Sequence, residues 1–148
     1  GISCEGEIGF VGYSNGEQSS GTNPKEAAIF AAETGVDAMA ISVGNVHLQE
    51  KKEGGLDEDR IAAIQKLTAV PLVIHGGSGV PVKQRSNLAK NTNICKYNIG
   101  TELRMAFGDA LREAVSSDLG RFDRVAILKE THDPMVVAAR RVLTALKG

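Results

Sequence analysis

Pro71-Leu72-Val73-Ile74-His75-Gly76-Gly77-Ser78-Gly79 decides how the chain is read. A proline opens an apolar run too short for a helix, and the run stops at a histidine and a cluster of glycines. That is the pattern of a strand buried on both faces in a parallel sheet. A polar helix follows, over roughly Val82 to Lys90. Glycine lets backbone amides approach an anion closely, and the first amides of a following helix favour phosphate. A plain turn competes with that reading, since one glycine cluster alone is weak.

The unit recurs on either side. Thr22-Asn23-Pro24 supplies a cap and a proline for the first helical position, Ala27 to Ala32 give an apolar face, and Gly35 closes the helix. Ala38 to Val43 is a second apolar run of strand length, between Asp37 and Gly44. Asp57 caps a helix through Leu67, with Ile61, Ile64 and Leu67 at helical spacing. Downstream, Ile94 to Ile99 reads as a strand and Thr101 to Val115 as a helix with Leu103, Ala106, Phe107, Ala110 and Leu111 along one stripe. Asp133-Pro134 opens a last helix through Leu146, and Ser3 to Val11 is a glycine-punctuated strand leaving into a loop.

Four strands, each followed by a helix, imply right-handed βαβ units and a parallel sheet. The fold class is α/β. Four such units are half of a (β/α)8 TIM barrel, whose usual size is about 250 residues; a small doubly wound sheet is the alternative. No linker or repeat divides the chain, so residues 1–148 are read as a single domain.

With 42% hydrophobic and 24% charged residues the composition is that of a soluble globular domain. A net charge of −1 gives no electrostatic footprint for nucleic acid or an anionic membrane. Cys4 and Cys95 are far apart and outside any CxxC spacing, which argues for a reducing, cytoplasmic setting and against a disulfide framework or a cysteine-built zinc site. No apolar run approaches a membrane span and no leader opens the chain, while Gly1 in place of a methionine leads us to expect further sequence upstream.

Working residues of a barrel lie at the carboxyl ends of its strands. Those ends are Glu5-Gly6-Glu7-Ile8-Gly9, Gly44-Asn45-Val46-His47, His75-Gly76-Gly77-Ser78-Gly79 and Asn98-Ile99-Gly100-Thr101. Taken singly, His47 or His75 is more simply a rim histidine with a satisfied hydrogen bond. Matching positions on successive strands, about 5 Å apart, favour a shared metal. Glu7 is either an oxygen ligand, a partner to a ligand, or an exposed loop carboxylate. Asn98 to Thr101 repeats the strand-to-helix arrangement, and two adjacent turns of this kind are how barrels build a phosphate site. His132 reads as a surface or capping residue and Glu50 to Arg60 as a solvated loop and helix start.

These residues resemble the class II, zinc-dependent fructose- and tagatose-bisphosphate aldolases. Ser3 to Gly9 is similar to one family run. Thr22-Asn23-Pro24-Lys25-Glu26-Ala27 resembles the family's T-D-P-x-E-A helix start, and Thr34 to Asp37 its T-G-V-D turn. Gly44 to His47 resembles the zinc motif G-x-x-H-G, Pro71 to Pro81 the run P-L-V-L-H-G-G-S-G-V-P, and Lys96 to Leu103 the closing K-V-N-I-x-T-E-L.

The resemblance implies the carboxy-terminal half of an aldolase barrel. It implies reversible cleavage of a ketose bisphosphate to dihydroxyacetone phosphate and an aldehyde, through a zinc-stabilised enediolate, in glycolysis-type carbohydrate metabolism. Carried over, His47 and His75 are two of three zinc ligands, and Glu7 holds the metal in an alternative position. Gly76, Gly77 and Ser78, with Asn98, Ile99, Gly100 and Thr101, hold the substrate phosphate.

The chain also departs from the family. The family's Asp-His pair, a proton-transfer aspartate and the third zinc histidine, has no match. Leu48 replaces a glycine that touches phosphate, and Ser14-Asn15-Gly16-Glu17 replaces an acidic pair, with Glu17 the remaining candidate for a catalytic role. A degenerate, non-catalytic phosphosugar-binding protein is the alternative reading. Half a barrel would also leave an apolar inner face and two sheet edges uncovered, so a homo-oligomer is expected.

Overall fold

The computed structural model describes residues 1–13, 16, 19–48 and 55–147. In chain order the elements are β1 (Glu5–Glu7), β2 (Gly12–Tyr13), α1 (Pro24–Thr34), β3 (Ala38–Ile41), β4 (Val46–His47), α2 (Glu58–Gln65) and β5 (Leu72–Ile74). A single 3-10 turn (Gly77–Gly79) leads to α3 (Val82–Asn91), β6 (Ile94–Tyr97), α4 (Thr101–Ser116), α5 (Arg124–Glu130) and α6 (His132–Lys147). The caps are those the sequence offers. The Asn23 side chain accepts from the amides of Lys25 and Glu26, and Gly35 takes a left-handed φ of 64° to end α1. Asp57 accepts from the Arg60 amide at the start of α2.

The main sheet has the order β1-β3-β5-β6, and every pairing is parallel. One row across it runs Gly6, Met39, Leu72, Ile94, and the next runs Glu7, Ala40, Val73, Lys96. A Cβ on Gly6 would stand 2.9 Å from the side chains of Phe30 and Val36, so the first row faces the helices. There Met39, Ile41, Leu72, Ile74 and Ile94 join Ala27, Ile61, Ile64 and Leu88 in one core.

Glu5 and Glu7 therefore point to the opposite face. Lys96 on the far edge strand reaches Glu5 at 2.6 Å, although β1 and β6 stand three strand spacings apart, about 14 Å on a flat sheet. The sheet curls as a barrel arc does, and Ala40 and Val73, on the two middle strands of the row from Glu7 to Lys96, are fully buried. This overturns the expected apolar inner face. The sheet's leucine, isoleucine and methionine side chains lie on the helix side, and the concave face carries charge over Ala40 and Val73.

Three further differences are local. The run from Ser3 to Val11 is not one strand: Gly9 turns at φ 78°, and Gly12–Tyr13 pairs instead with β4 in a separate two-stranded parallel sheet. The strands read as Ala38–Val43 and Ile94–Ile99 end at Ile41 and Tyr97. Helix α5 is additional. It is capped by Asp123 and buries no residue completely, so no apolar stripe announced it.

Candidate active site

Gly76 brings the two histidines together. Its φ is 66°, and a Cβ there would lie 2.4 Å from the Val46 carbonyl oxygen, so only glycine lets the turn after β5 press against β4. His47, at the end of β4, then faces His75, the residue after β5, with ring centroids 6.1 Å apart and planes at 44°. His47 was expected to close the strand before it in the main sheet; instead that strand ends at Ile41 and His47 sits on the small second sheet. Buried Asn45 ties the two segments. Its Nδ2 donates to the Ile41 carbonyl at 3.2 Å and to the His75 carbonyl at 2.9 Å, and its Oδ1 accepts from the Val43 amide. Nothing in the sequence distinguished Asn45 from a loop asparagine.

On the concave face, Glu5 Oε1 lies 3.1 Å from His75 Nε2, and Glu7 Oε2 lies 3.5 Å from His75 Nδ1. Lys96 holds the Glu5 carboxyl below its ordinary pKa, against the opposing effect of burial and with help from His75. An ionised Glu5 can only accept a hydrogen bond, so a proton on His75 Nε2 ties the ring to it and turns Nδ1 toward Glu7. Burial, and then the neighbouring His75, push the His47 pKa down, with Glu7 opposing. Neutral imidazole is the form that binds metal.

Two imidazoles on a tetrahedral ion, with bonds of about 2 Å, place their centroids roughly 5 Å apart. The observed 6.1 Å is close enough for small ring rotations to bring both onto one ion. Nitrogen and carboxylate donors fit a divalent metal of the zinc type. Among the described residues, however, no group of three or more His, Cys, Asp or Glu side chains is arranged to hold a metal. The donor set fits in kind and is short of a complete first coordination sphere.

His47 also lines a cleft of about 560 Å3 with the turn residues Gly76 and Ser78. Opposite them lie Asn98, Ile99, Gly100 and Thr101, where β6 passes into α4. Gly77, expected among the phosphate contacts, does not line the cleft: it is buried, and its amide donates to the Asn98 carbonyl at 3.0 Å. Arg104 and Tyr97 line the cleft and were not foreseen. Arg104 stands one helical turn after Gly100, on the same face of α4, and donates to Thr101 Oγ1 at 3.3 Å. Burial pushes the Tyr97 phenol up to about 12, so it stays protonated. Leu48, in the same wall, has φ 56° and is 51% exposed. Glu17 lies outside the described residues, as do Ser14, Asn15 and positions 49–54 of the charged stretch. His132 is exposed at the start of α6, beside Asp133.

The family model for class II fructose-bisphosphate aldolases matches residues 1–148. The chain belongs to the class II fructose-bisphosphate aldolase family. A fructose-bisphosphate aldolase of Geobacillus stearothermophilus is 35% identical over 137 residues, covering 90% of this chain and 47% of the relative. Among solved structures, the YdjI aldolase of Escherichia coli K12 is 26% identical at a TM-score of 0.64, with 99% of this chain and 48% of that one covered. The fructose-bisphosphate aldolase of Campylobacter jejuni is 23% identical at a TM-score of 0.71, with 99% and 51% covered. The fold is thus α/β of the TIM-barrel aldolase type, and the chain spans about half the length of the relatives it matches. No described helix is long and apolar enough to cross a membrane.

Proposed function

We propose that the chain forms one side of an aldolase active site, in a protein that reversibly cleaves a ketose bisphosphate to dihydroxyacetone phosphate and an aldehyde. One observation carries this reading: His47, beside His75, lines the same cleft as two strand-to-helix turns suited to phosphate. Ser78 and the start of α4 at Gly100 and Thr101 receive the phosphate, since helix N-termini favour anions, and Arg104 adds a cation. His47 and His75 would hold the metal, with Glu7 beside His75 and Glu5 fixing the His75 ring. A zinc ion held there would supply Lewis acidity to a ketone oxygen. Anchoring the phosphate presents the neighbouring carbonyl to that end of the cleft. No residue of the chain is assigned the proton-transfer role.

The fructose-bisphosphate aldolase relative supports a fructose-type substrate, a cytoplasmic setting goes with it, and tagatose bisphosphate is the close alternative. A homo-oligomer of this chain is a separate proposal, resting on β1 and β6 being edge strands among the described residues, each paired on one side within the sheet. Leu48, at a position where the family carries glycine, favours a second reading, a phosphosugar-binding protein without catalysis. Calorimetric titration with zinc and with dihydroxyacetone phosphate separates the two. Binding of both, with zinc binding lost in His75→Ala, supports the aldolase; phosphate-ester binding without zinc supports the second reading; binding of neither refutes both.

A further inference from the structure

Arg85 is the fourth residue of α3, a helix whose sequence reads as polar and solvated, yet it is 1% exposed. Its Nη1 donates to the Gly77 carbonyl at 3.1 Å and to Glu102 Oε1 at 2.7 Å. Glu102 is the second residue of α4, and its own amide donates to Ser78 Oγ at 3.3 Å. One buried guanidinium thus binds the turn after β5 to the first turn of α4, and these two segments are the facing walls of the phosphate cleft.

Stability does not account for this arrangement. A buried ion pair replaced by apolar groups of similar volume is often neutral or stabilising. Arg85 moreover keeps a buried Nε with no hydrogen-bond partner among the described residues, which is unfavourable in itself. What the pair does supply is registry. The guanidinium fixes the distance between Ser78 and Thr101, whose walls must meet one phosphate from two sides.

We infer that Arg85, through Glu102, is a positioning residue for the phosphate of the substrate. It does not touch the ligand. It sets the spacing of the groups that do. The inference rests on the aldolase reading, in that it takes this cleft to be the phosphate site.

The test is a titration of the full chain with dihydroxyacetone phosphate, and with inorganic phosphate as a second probe, followed by amide shifts of Ser78, Gly100 and Thr101. Arg85→Met with Glu102→Leu removes both charges together and should fold at least as stably as the parent. Its affinity for both probes should fall by about tenfold or more, because small displacements of a binding wall are amplified in ligand affinity. Arg85→Lys, which keeps the charge but loses the planar fork, should fall between the two and remains informative if the double variant does not fold. Affinity within twofold of the parent in the folded double variant, or undiminished in Arg85→Lys, overturns the inference while the aldolase reading stands. A parent chain that binds neither probe overturns both.

Discussion

Leu48 gives the sharpest test of the geometry. At φ 56° it occupies the left-handed region, which costs an L-residue roughly 1–2 kcal/mol. With 51% of its surface exposed, it recovers only about half of the roughly 1.5–3 kcal/mol that a fully buried leucine contributes. Leu48→Ala gives up that contact and keeps the strain, so it should lose about 1 kcal/mol. Leu48→Gly gives up the same contact and removes the strain, so its stability should lie within about 0.5 kcal/mol of the parent. The informative quantity is the difference between the two variants, in which the lost contact cancels. Urea denaturation measures it: with a slope of about 2 kcal/mol per molar, the glycine variant should unfold roughly 0.5 M later than the alanine variant, with unchanged slopes. An alanine variant as stable as the glycine one would show that residue 48 is not left-handed. Removing the leucine should also widen the cleft, so Leu48→Gly should bind dihydroxyacetone phosphate at least as tightly as the parent.

Glu5→Gln should weaken zinc binding by about 10- to 100-fold in a chelator competition, because the amide no longer fixes the His75 tautomer; unchanged affinity would detach Glu5 from the site. The folded pKa of His47 lies below its ordinary value. Below about pH 6.5 the unfolded chain therefore takes up a proton that the folded chain resists, and stability is lost as pH falls through that range. Between about pH 8 and about pH 5 the urea midpoint of the parent should fall further than that of His47→Gln, and parallel profiles would contradict the assignment. Arg104→Met should reduce phosphate-ester affinity by about tenfold, the loss of one charge-assisted contact, without lowering the melting temperature; equal affinity would place the anion elsewhere. Light scattering at micromolar concentration should return a mass above that of the monomer, and a stable monomer would remove edge pairing from the account.

The sheet and its helices were legible because their signals are local. Asn23-Pro24 and Gly35 bracket α1, and Leu72-Val73-Ile74 is short, apolar and closed by glycine. The two histidines drew attention because each follows an apolar residue at the end of a short apolar stretch, His47 after Val46 and His75 after Ile74. The remainder depends on contacts that spacing does not carry. Arg85 lies in the stretch VKQRSNLAKN, where nothing distinguishes a buried arginine from a solvated one. The pairing of Gly12–Tyr13 with Val46–His47 involves only two residues on each side, below the length at which alternation can be read. The charged concave face was within reach, since Glu5-Gly6-Glu7 alternates with the period of a strand. The expectation of an apolar interior came from barrels in general and was not drawn from those three residues. Arg104 was within reach too, as the residue one turn along α4 from Gly100.

The ion pair between Glu5 and Lys96 spans 91 positions of sequence, from the first strand to the last. The carboxylate that orients His75 is thus itself held by the strand that docks at the opposite edge. A chain with β1, β3 and β5 zipped together but β6 still loose would have its histidines in place and their orientation unset. The entropy of closing so long a loop rises only slowly with length, but contacts of such separation are formed late. On the proposed reading, metal capture at full affinity would therefore wait on the arrival of β6. A partly folded chain would then be a poor competitor for the ion.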